Sequence, residues 1–184
     1  MGDFWVFGYG SLIWRPGFAH VEARRARLYG YRRSLCVYSH VHRGTPERPG
    51  LVLGLDRGGS CVGLAFRVAG HLREEVIGYL RERELVTMVY LERTLAVRLE
   101  GGGAVDAIAY VVDRDHRQYA GSLDEAAAAS MVLGAQGQSG PNETYVTNTV
   151  EHLRALGIRD HWLEAVARRL PNSGSALPDA GKRT

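Results

Sequence analysis

The stretch Trp5-Val6-Phe7-Gly8-Tyr9-Gly10-Ser11-Leu12 holds backbone chemistry that few other sequences can provide. Glycines at alternate positions let the chain approach a ligand closely and leave successive N–H groups free to point inward. Such a turn could hold a carboxylate, a phosphate or a developing oxyanion; it could equally be a glycine-cornered strand end. A second candidate is Glu84. In the segment from His71 to Leu85, Leu72, Val76, Tyr79 and Leu80 recur at steps of three and four, the spacing of an amphipathic helix. Glu74, Glu75 and Glu82 fall away from that apolar stripe. Glu84 follows Leu80 by one turn and Val76 by two, which sets it at the edge of the buried face. An acid there is either ion-paired, with Arg73 and Arg83 on the same side, or a general base.

Other chemistries fail on spacing. A dinucleotide fingerprint needs a third glycine opening a helix, but Ile13 stands at that position and Trp14-Arg15-Pro16-Gly17 reads as a turn. No Gly-Lys-Ser/Thr follows for a phosphate loop, and Ser11 lacks the G-x-S-x-G elbow of a serine hydrolase. His40 and His42 would share one side of a strand, yet no third ligand accompanies them, so no metal and no cofactor is expected. Arg24, Arg25, Arg27, Arg32 and Arg33 cluster without interleaved aromatic side chains, which favours a solvated face over a nucleic-acid platform. What remains is an anionic small-molecule substrate, a single acid, a backbone-amide turn, and two polar loops at Ser39–Gly44 and Gly134–Tyr145.

The elements that must position these residues follow from periodicity. Strands are expected from Phe4 to Tyr9, Ala23 to Gly30 and Tyr31 to Ser39. A hairpin is expected from Leu51 to Val68, turning at Asp56-Arg57-Gly58-Gly59-Ser60. After the helix, strands run from Tyr90 to Leu99 and Val105 to Val112. Ser122 and Glu125 have capping-box spacing before a short helix through Ala126 to Leu133. Asn142 is placed to cap a helix to Leu156 ended by Gly157, and Asp160 to cap a last helix to Leu170. Strands crowd the first two thirds and helices the end, so the expected class is α+β, with a mixed or antiparallel sheet able to close into a barrel. The 184 residues fit a single domain, 1–170, with 171–184 as a flexible tail. A net charge of +3, two cysteines and the lack of a long apolar run fit a cytoplasmic protein with no membrane partner.

The run from Trp5 to Pro16 closely resembles the opening of ChaC-like γ-glutamylcyclotransferases. So do His42-Arg43-Gly44-Thr45-Pro46-Glu47 with Pro49-Gly50, the Tyr79-Leu80 helix ending in Arg83-Glu84, and Gly140-Pro141-Asn142 followed by Tyr145. After Glu84, Leu85-Val86-Thr87-Met88-Val89-Tyr90 replaces the Lys-Gly-Gly-Tyr of eukaryotic members and resembles the bacterial branch. The resemblance implies a small mixed β-barrel with flanking helices. It implies release of a γ-glutamyl group as 5-oxoproline, with glutathione as donor and cysteinylglycine as the other product. It places Glu84 at the catalytic acid, Val6, Phe7, Gly8, Tyr9, Gly10, Ser11 and Leu12 at the substrate loop, and Tyr145 in the pocket wall. Ser39, Arg43 and Gly44 complete the expected binding residues, with Arg43 either pairing with a substrate carboxylate or standing as a solvated loop arginine. A cyclotransferase for other γ-glutamyl amines and a silent metabolite-binding module are the alternatives.

Overall fold

The computed structural model describes residues 2–85 and 87–171. Five strands close into a barrel: β1 (Phe4–Gly8), β2 (Glu22–Ser39), β3 (Gly50–Val68), β4 (Tyr90–Leu99) and β5 (Ala104–Val112). Around the ring the order is β1-β3-β2-β4-β5, and every pairing is antiparallel except that of β1 with β5, where Trp5 lies beside Ala107. The expected α+β class and mixed barrel are therefore present.

Two expectations about strands are corrected. The segments from Ala23 and Tyr31 form one continuous strand, and Leu51 to Val68 is also continuous rather than a hairpin folded on itself. The glycines thought to turn the chain make a bulge instead. Tyr29 pairs with Ser60 and Tyr31 with Arg57, so Gly30 faces the two residues Gly58 and Gly59. All three have positive φ (84°, 99° and 67°), a region glycine enters without steric cost. The bulge bends both long strands together. Beside it, Asp56 is fully buried, accepting from Arg32 Nη2 at 2.8 Å and Arg114 Nε at 2.7 Å.

Alternation along β1 assigns its side chains to two cores. Phe4 and Val6 pack with Val68, Val76, Leu80, Ile108 and Tyr110, the cluster that seats α1 (Arg73–Glu84) on the barrel. Phe7 points the other way, among Leu28, Leu35, Leu51, Leu55 and Val97, where the helices α2 (Glu125–Val132), α3 (Asn142–Ala155) and α4 (His161–Ala167) contribute Val132, Val150, Leu153 and Val166. Burial of each such large apolar side chain stabilises the fold by about 1.5–3 kcal/mol.

Capping differs in two places. Asp124, not Ser122, caps α2, its carboxylate accepting from Ala127 N–H at 2.7 Å. Asn142 is already helical and makes no cap bond; its buried amide accepts from Leu51 N–H (2.7 Å) and donates to Leu51 C=O (2.8 Å). Asp160 caps α4 as expected, accepting from Leu163 N–H at 3.0 Å. α4 ends at Ala167, short of the expected Leu170. Of the expected tail, all but Pro171 lies outside the described residues. No helix among the described residues is long and apolar enough to cross a membrane.

Candidate active site

α1 ends on Glu84, and β1 ends on Gly8 just before a single 3₁₀ turn at Ser11–Ile13. Because β1 and α1 share one apolar cluster, the packing of Val6, Leu12, Val76 and Leu80 brings the two chain ends together. A cavity of about 370 Å³ opens between them, lined by Tyr9, Gly10, Ser11, Leu12, Arg83 and Glu84 on this side. His42, Arg43, Val52, Leu53, Tyr90, Ser139 and Tyr145 line the other side. The volume lies within the range of small-molecule sites, about 300–1,000 Å³.

The first hydrogen bond of the 3₁₀ turn runs from Ile13 N–H to Gly10 C=O, at 2.9 Å. The N–H groups of Ser11 and Leu12 precede it and therefore have no acceptor within the turn, as at any helix start. Both residues line the cavity, which makes their amides candidates for a donor cradle on its wall. Arg83 fixes this wall to α1 by donating to Ser11 Oγ (2.8 Å), Arg15 C=O (2.6 Å) and Tyr79 Oη (2.9 Å). Its Nε lies 3.3 Å from Glu84 Oε1, so the ion pair anticipated as the alternative role for Glu84 exists. It does not seal the acid away, because the Glu84 side chain remains 18% exposed and faces the cavity. Burial raises the Glu84 carboxyl above the usual carboxylate range, and the Arg83 charge only opposes the shift. Its position as the last residue of α1, beside the carbonyl end of the helix, acts in the same direction as burial.

Across the cavity two tyrosines hang from one residue. Leu53 N–H donates to Tyr145 Oη at 3.1 Å, and Tyr90 donates to Leu53 C=O at 2.7 Å. The Tyr90 proton is thus committed, whereas the Tyr145 hydroxyl accepts from the backbone and keeps its own proton for the cavity. Burial pushes the Tyr145 hydroxyl up to about 12 and that of Tyr90 well above the ordinary tyrosine value, so both stay protonated. Arg43 lies 5.2 Å over the Tyr145 ring and donates to Ser139 C=O at 2.6 Å, which holds its guanidinium at the cavity mouth.

Seven of the residues expected to bind or react therefore line one cavity: Tyr9, Gly10, Ser11, Leu12, Arg43, Glu84 and Tyr145. The other five lie behind it. Val6 and Phe7 are core residues on opposite faces of β1, and Gly8 belongs to the ladder opposite Leu64. Ser39 accepts from Arg43 N–H at 3.0 Å and shapes the loop. Gly44 passes so close to the Gly50 amide that a side chain would collide with it. Sequence reasoning missed Tyr90, Arg83 as a strut and His42, whose Nδ1 lies 3.1 Å from Ser139 Oγ. It also misjudged Arg33, assigned to a solvated face but buried at 5% exposure. Its signal was available: Tyr31, Arg33 and Leu35 alternate onto one face of β2.

The closed five-stranded barrel, with an acid at a helix end facing a glycine-rich turn, agrees with what the resemblance to γ-glutamylcyclotransferases implies. The family described as ChaC-like protein matches residues 4–172. A glutathione-specific γ-glutamylcyclotransferase of Escherichia coli K12 is 33% identical over 162 residues, which is 88% of this chain and 70% of that protein. Glutathione-specific γ-glutamylcyclotransferase 1 of Homo sapiens is 33% identical over 180 residues, 95% of this chain and 80% of its own. The crystal structure of a yeast γ-glutamylcyclotransferase specific to glutathione shares the fold, with a TM-score of 0.82 at 22% identity over 92% of this chain and 96% of that one. The chain belongs to the ChaC-like family.

Proposed function

We propose that the protein cleaves glutathione by cyclising its γ-glutamyl group, releasing 5-oxoproline and cysteinylglycine. One observation carries the reading: a partly buried acid with raised basicity shares a single cavity with Ser11, Leu12 and Tyr145, whose hydroxyl accepts from the Leu53 backbone. The names of the bacterial and animal relatives support glutathione as the donor.

The substrate brings its own nucleophile. Folding the γ-glutamyl unit in the cavity sets its α-amine against its γ-carbonyl carbon, and such intramolecular orientation lowers a barrier by roughly 7–11 kcal/mol. The α-ammonium gives a proton to the Glu84 carboxylate, and the freed amine attacks the carbonyl carbon. Negative charge develops on the carbonyl oxygen, where the Ser11 and Leu12 amides and the Tyr145 hydroxyl act as donors. Loss of one such donor typically costs about 2.7–4 kcal/mol of transition-state stabilisation. Protonated Glu84 then returns its proton to the cysteinyl nitrogen as the C–N bond breaks. No water is consumed: the attacking nitrogen sheds a second proton as it becomes the lactam N–H, Glu84 relays it in turn, and both protons lost by the α-ammonium end on the cysteinyl nitrogen, which leaves as an ammonium group. Arg43 at the mouth is placed to pair with a substrate carboxylate.

Incubating the protein with glutathione, γ-glutamyl-alanine and γ-glutamyl-lysine and quantifying 5-oxoproline tests the proposal. Release from glutathione, ahead of the other two, is the expected result. Saturable glutathione binding with no product would leave a binding module instead. Preferential turnover of γ-glutamyl-lysine would move the activity to γ-glutamyl amines.

A further inference from the structure

We infer that Arg33, outside the cavity, is the positioning residue that aims the amide cradle, with Asp160 as its anchor in the C-terminal helices. The Arg33 side chain, 2% exposed, spends its guanidinium on three acceptors: Tyr9 C=O from Nε (2.6 Å), Asp160 Oδ2 from Nη1 (2.9 Å) and Val62 C=O from Nη2 (2.7 Å). These acceptors belong to the loop after β1, to the cap of α4 and to β3. One planar cation thus ties the reactive loop to elements distant in sequence.

The consequence for the site follows from peptide geometry. Tyr9 C=O and Gly10 N–H share one trans peptide plane and point in opposite directions. Arg33 draws the carbonyl towards itself. It lines the separate cavity formed with Asp160 and Trp162, not the one formed by Gly10 and Glu84. The Gly10 N–H is therefore turned to the side away from Arg33, where Gly10 lines the reactive cavity, and it joins Ser11 and Leu12 as a third donor. Left free, the peptide between Tyr9 and Gly10 could rotate, because glycine tolerates nearly any φ. A charged, three-point hold removes that freedom before substrate arrives, which is how preorganised donors gain their effect. Lysine cannot substitute, since a point ammonium lacks the planar fork that reaches three acceptors at fixed angles.

Asp160 performs two tasks with two oxygens: Oδ1 accepts from Leu163 N–H as the cap of α4, and Oδ2 holds Arg33. Asp160→Asn keeps a cap acceptor while removing the charge, so the tasks separate.

The inference rests on the cyclisation proposed above, and wild-type protein assayed alongside keeps the two apart. Arg33→Lys and Asp160→Asn are measured for 5-oxoproline release from glutathione, thermal midpoint and pH–rate profile. For Arg33→Lys, kcat is expected to fall about 10²-fold, the scale of an ångström's misplacement at a reacting centre. KM should stay near the wild-type value, and the acidic limb set by Glu84 should not move. Asp160→Asn should show a smaller loss in the same direction with the midpoint held. A wild-type kcat in Arg33→Lys, or a loss confined to KM, overturns the inference while leaving the reaction intact. If Arg33→Lys fails to fold, Asp160→Asn decides alone: reduced kcat at an unchanged midpoint supports the hold, and wild-type kcat refutes it. Wild-type protein that releases no 5-oxoproline overturns the reaction and the inference together.

Discussion

Replacing Glu84 by Gln keeps the size and one oxygen acceptor of the side chain but removes its capacity to take a proton. A positioned general base contributes about 10²–10⁴ in rate, equivalent to roughly 2.7–5.4 kcal/mol at 1.36 kcal/mol per decade. A fall in kcat of that size with KM nearly unchanged is expected. Stability should move the opposite way. Burial raises the Glu84 carboxyl above its ordinary value, so the folded state binds that proton more tightly than the unfolded chain does. The stabilising contribution of the protonated form is fully present below the unfolded value of about 4.3 and is lost as pH rises through the higher folded value. At pH 7–8 the wild type carries a buried charge that Gln does not, and Glu84→Gln should melt higher. That advantage should shrink towards zero below about pH 4, where both side chains are neutral. The opposing contribution is the ion pair with Arg83, 3.3 Å away, whose lowering of the Glu84 carboxyl is smaller than the raising by burial. Single-turnover 5-oxoproline release and thermal melts from pH 3 to 8 read both effects. Near-normal kcat would remove Glu84 from the chemistry. A variant melting lower at pH 8 would show that the Arg83 pair outweighs burial and that the acid is structural.

The same raised basicity predicts that kcat/KM for glutathione climbs through a pH above the usual carboxylate range before levelling; a profile flat down to pH 4 would contradict an acid that must ionise to act. Tyr145→Phe removes the hydroxyl that accepts from Leu53 N–H, so stability should fall by about 1–3 kcal/mol in urea unfolding, with a drop in kcat smaller than that of Glu84→Gln. Asn142→Ala breaks both hydrogen bonds to Leu51 at a buried position, and its urea midpoint should fall with the m-value retained. Arg43→Gln should raise KM for glutathione with kcat held, the signature of lost uniform binding; equal losses in kcat would place Arg43 at the reacting centre instead.

The strands, the placing of α1 and the position of Glu84 were legible because they follow from local periodicity, whereas closure into a barrel was implied by the family resemblance. A period of two wrote the strands, and a 3.6-residue period put Glu84 beside Leu80. The hairpin expected between Leu51 and Val68 was misread because Gly58 and Gly59 signal equally a turn and a bulge. Only the pairing partner decides between them, and Gly30 lies 28 residues from Gly58 in sequence. The cap at Asn142 failed for a related reason. Its amide had two possible sets of partners, and the Leu51 backbone, 91 residues away, matched both its donor and its acceptor. Val6 and Phe7 were placed in the substrate loop because sequence resemblance marks a stretch without saying which side chains of a strand face outwards. Arg33 shows the limit most plainly: a cluster of arginines reads as one solvated face until alternation separates the member that points inward.

Comparing Glu84 with the two carboxylates that the fold buries most completely explains why it is suited to chemistry. Asp56, at 0% exposure, lies between two guanidinium groups and accepts from Tyr119 as well. Glu164, at 2%, faces Arg159 and Arg154, and their hydrogen bonds hold its carboxyl down at about 2. Both are fully paired, and at Glu164 proton binding would break the contacts that keep it charged. Among the described residues Glu84 has a single cationic neighbour, and that neighbour already donates to Ser11, Arg15 and Tyr79. Burial without full compensation costs stability, and it is also what makes a carboxylate basic enough to take a proton from an ammonium group. A second guanidinium at Glu84 would stabilise its charge as at Glu164 and leave the carboxylate too weak a base for the α-ammonium. The under-compensated acid is therefore the one acid of the three whose environment favours reaction over structure.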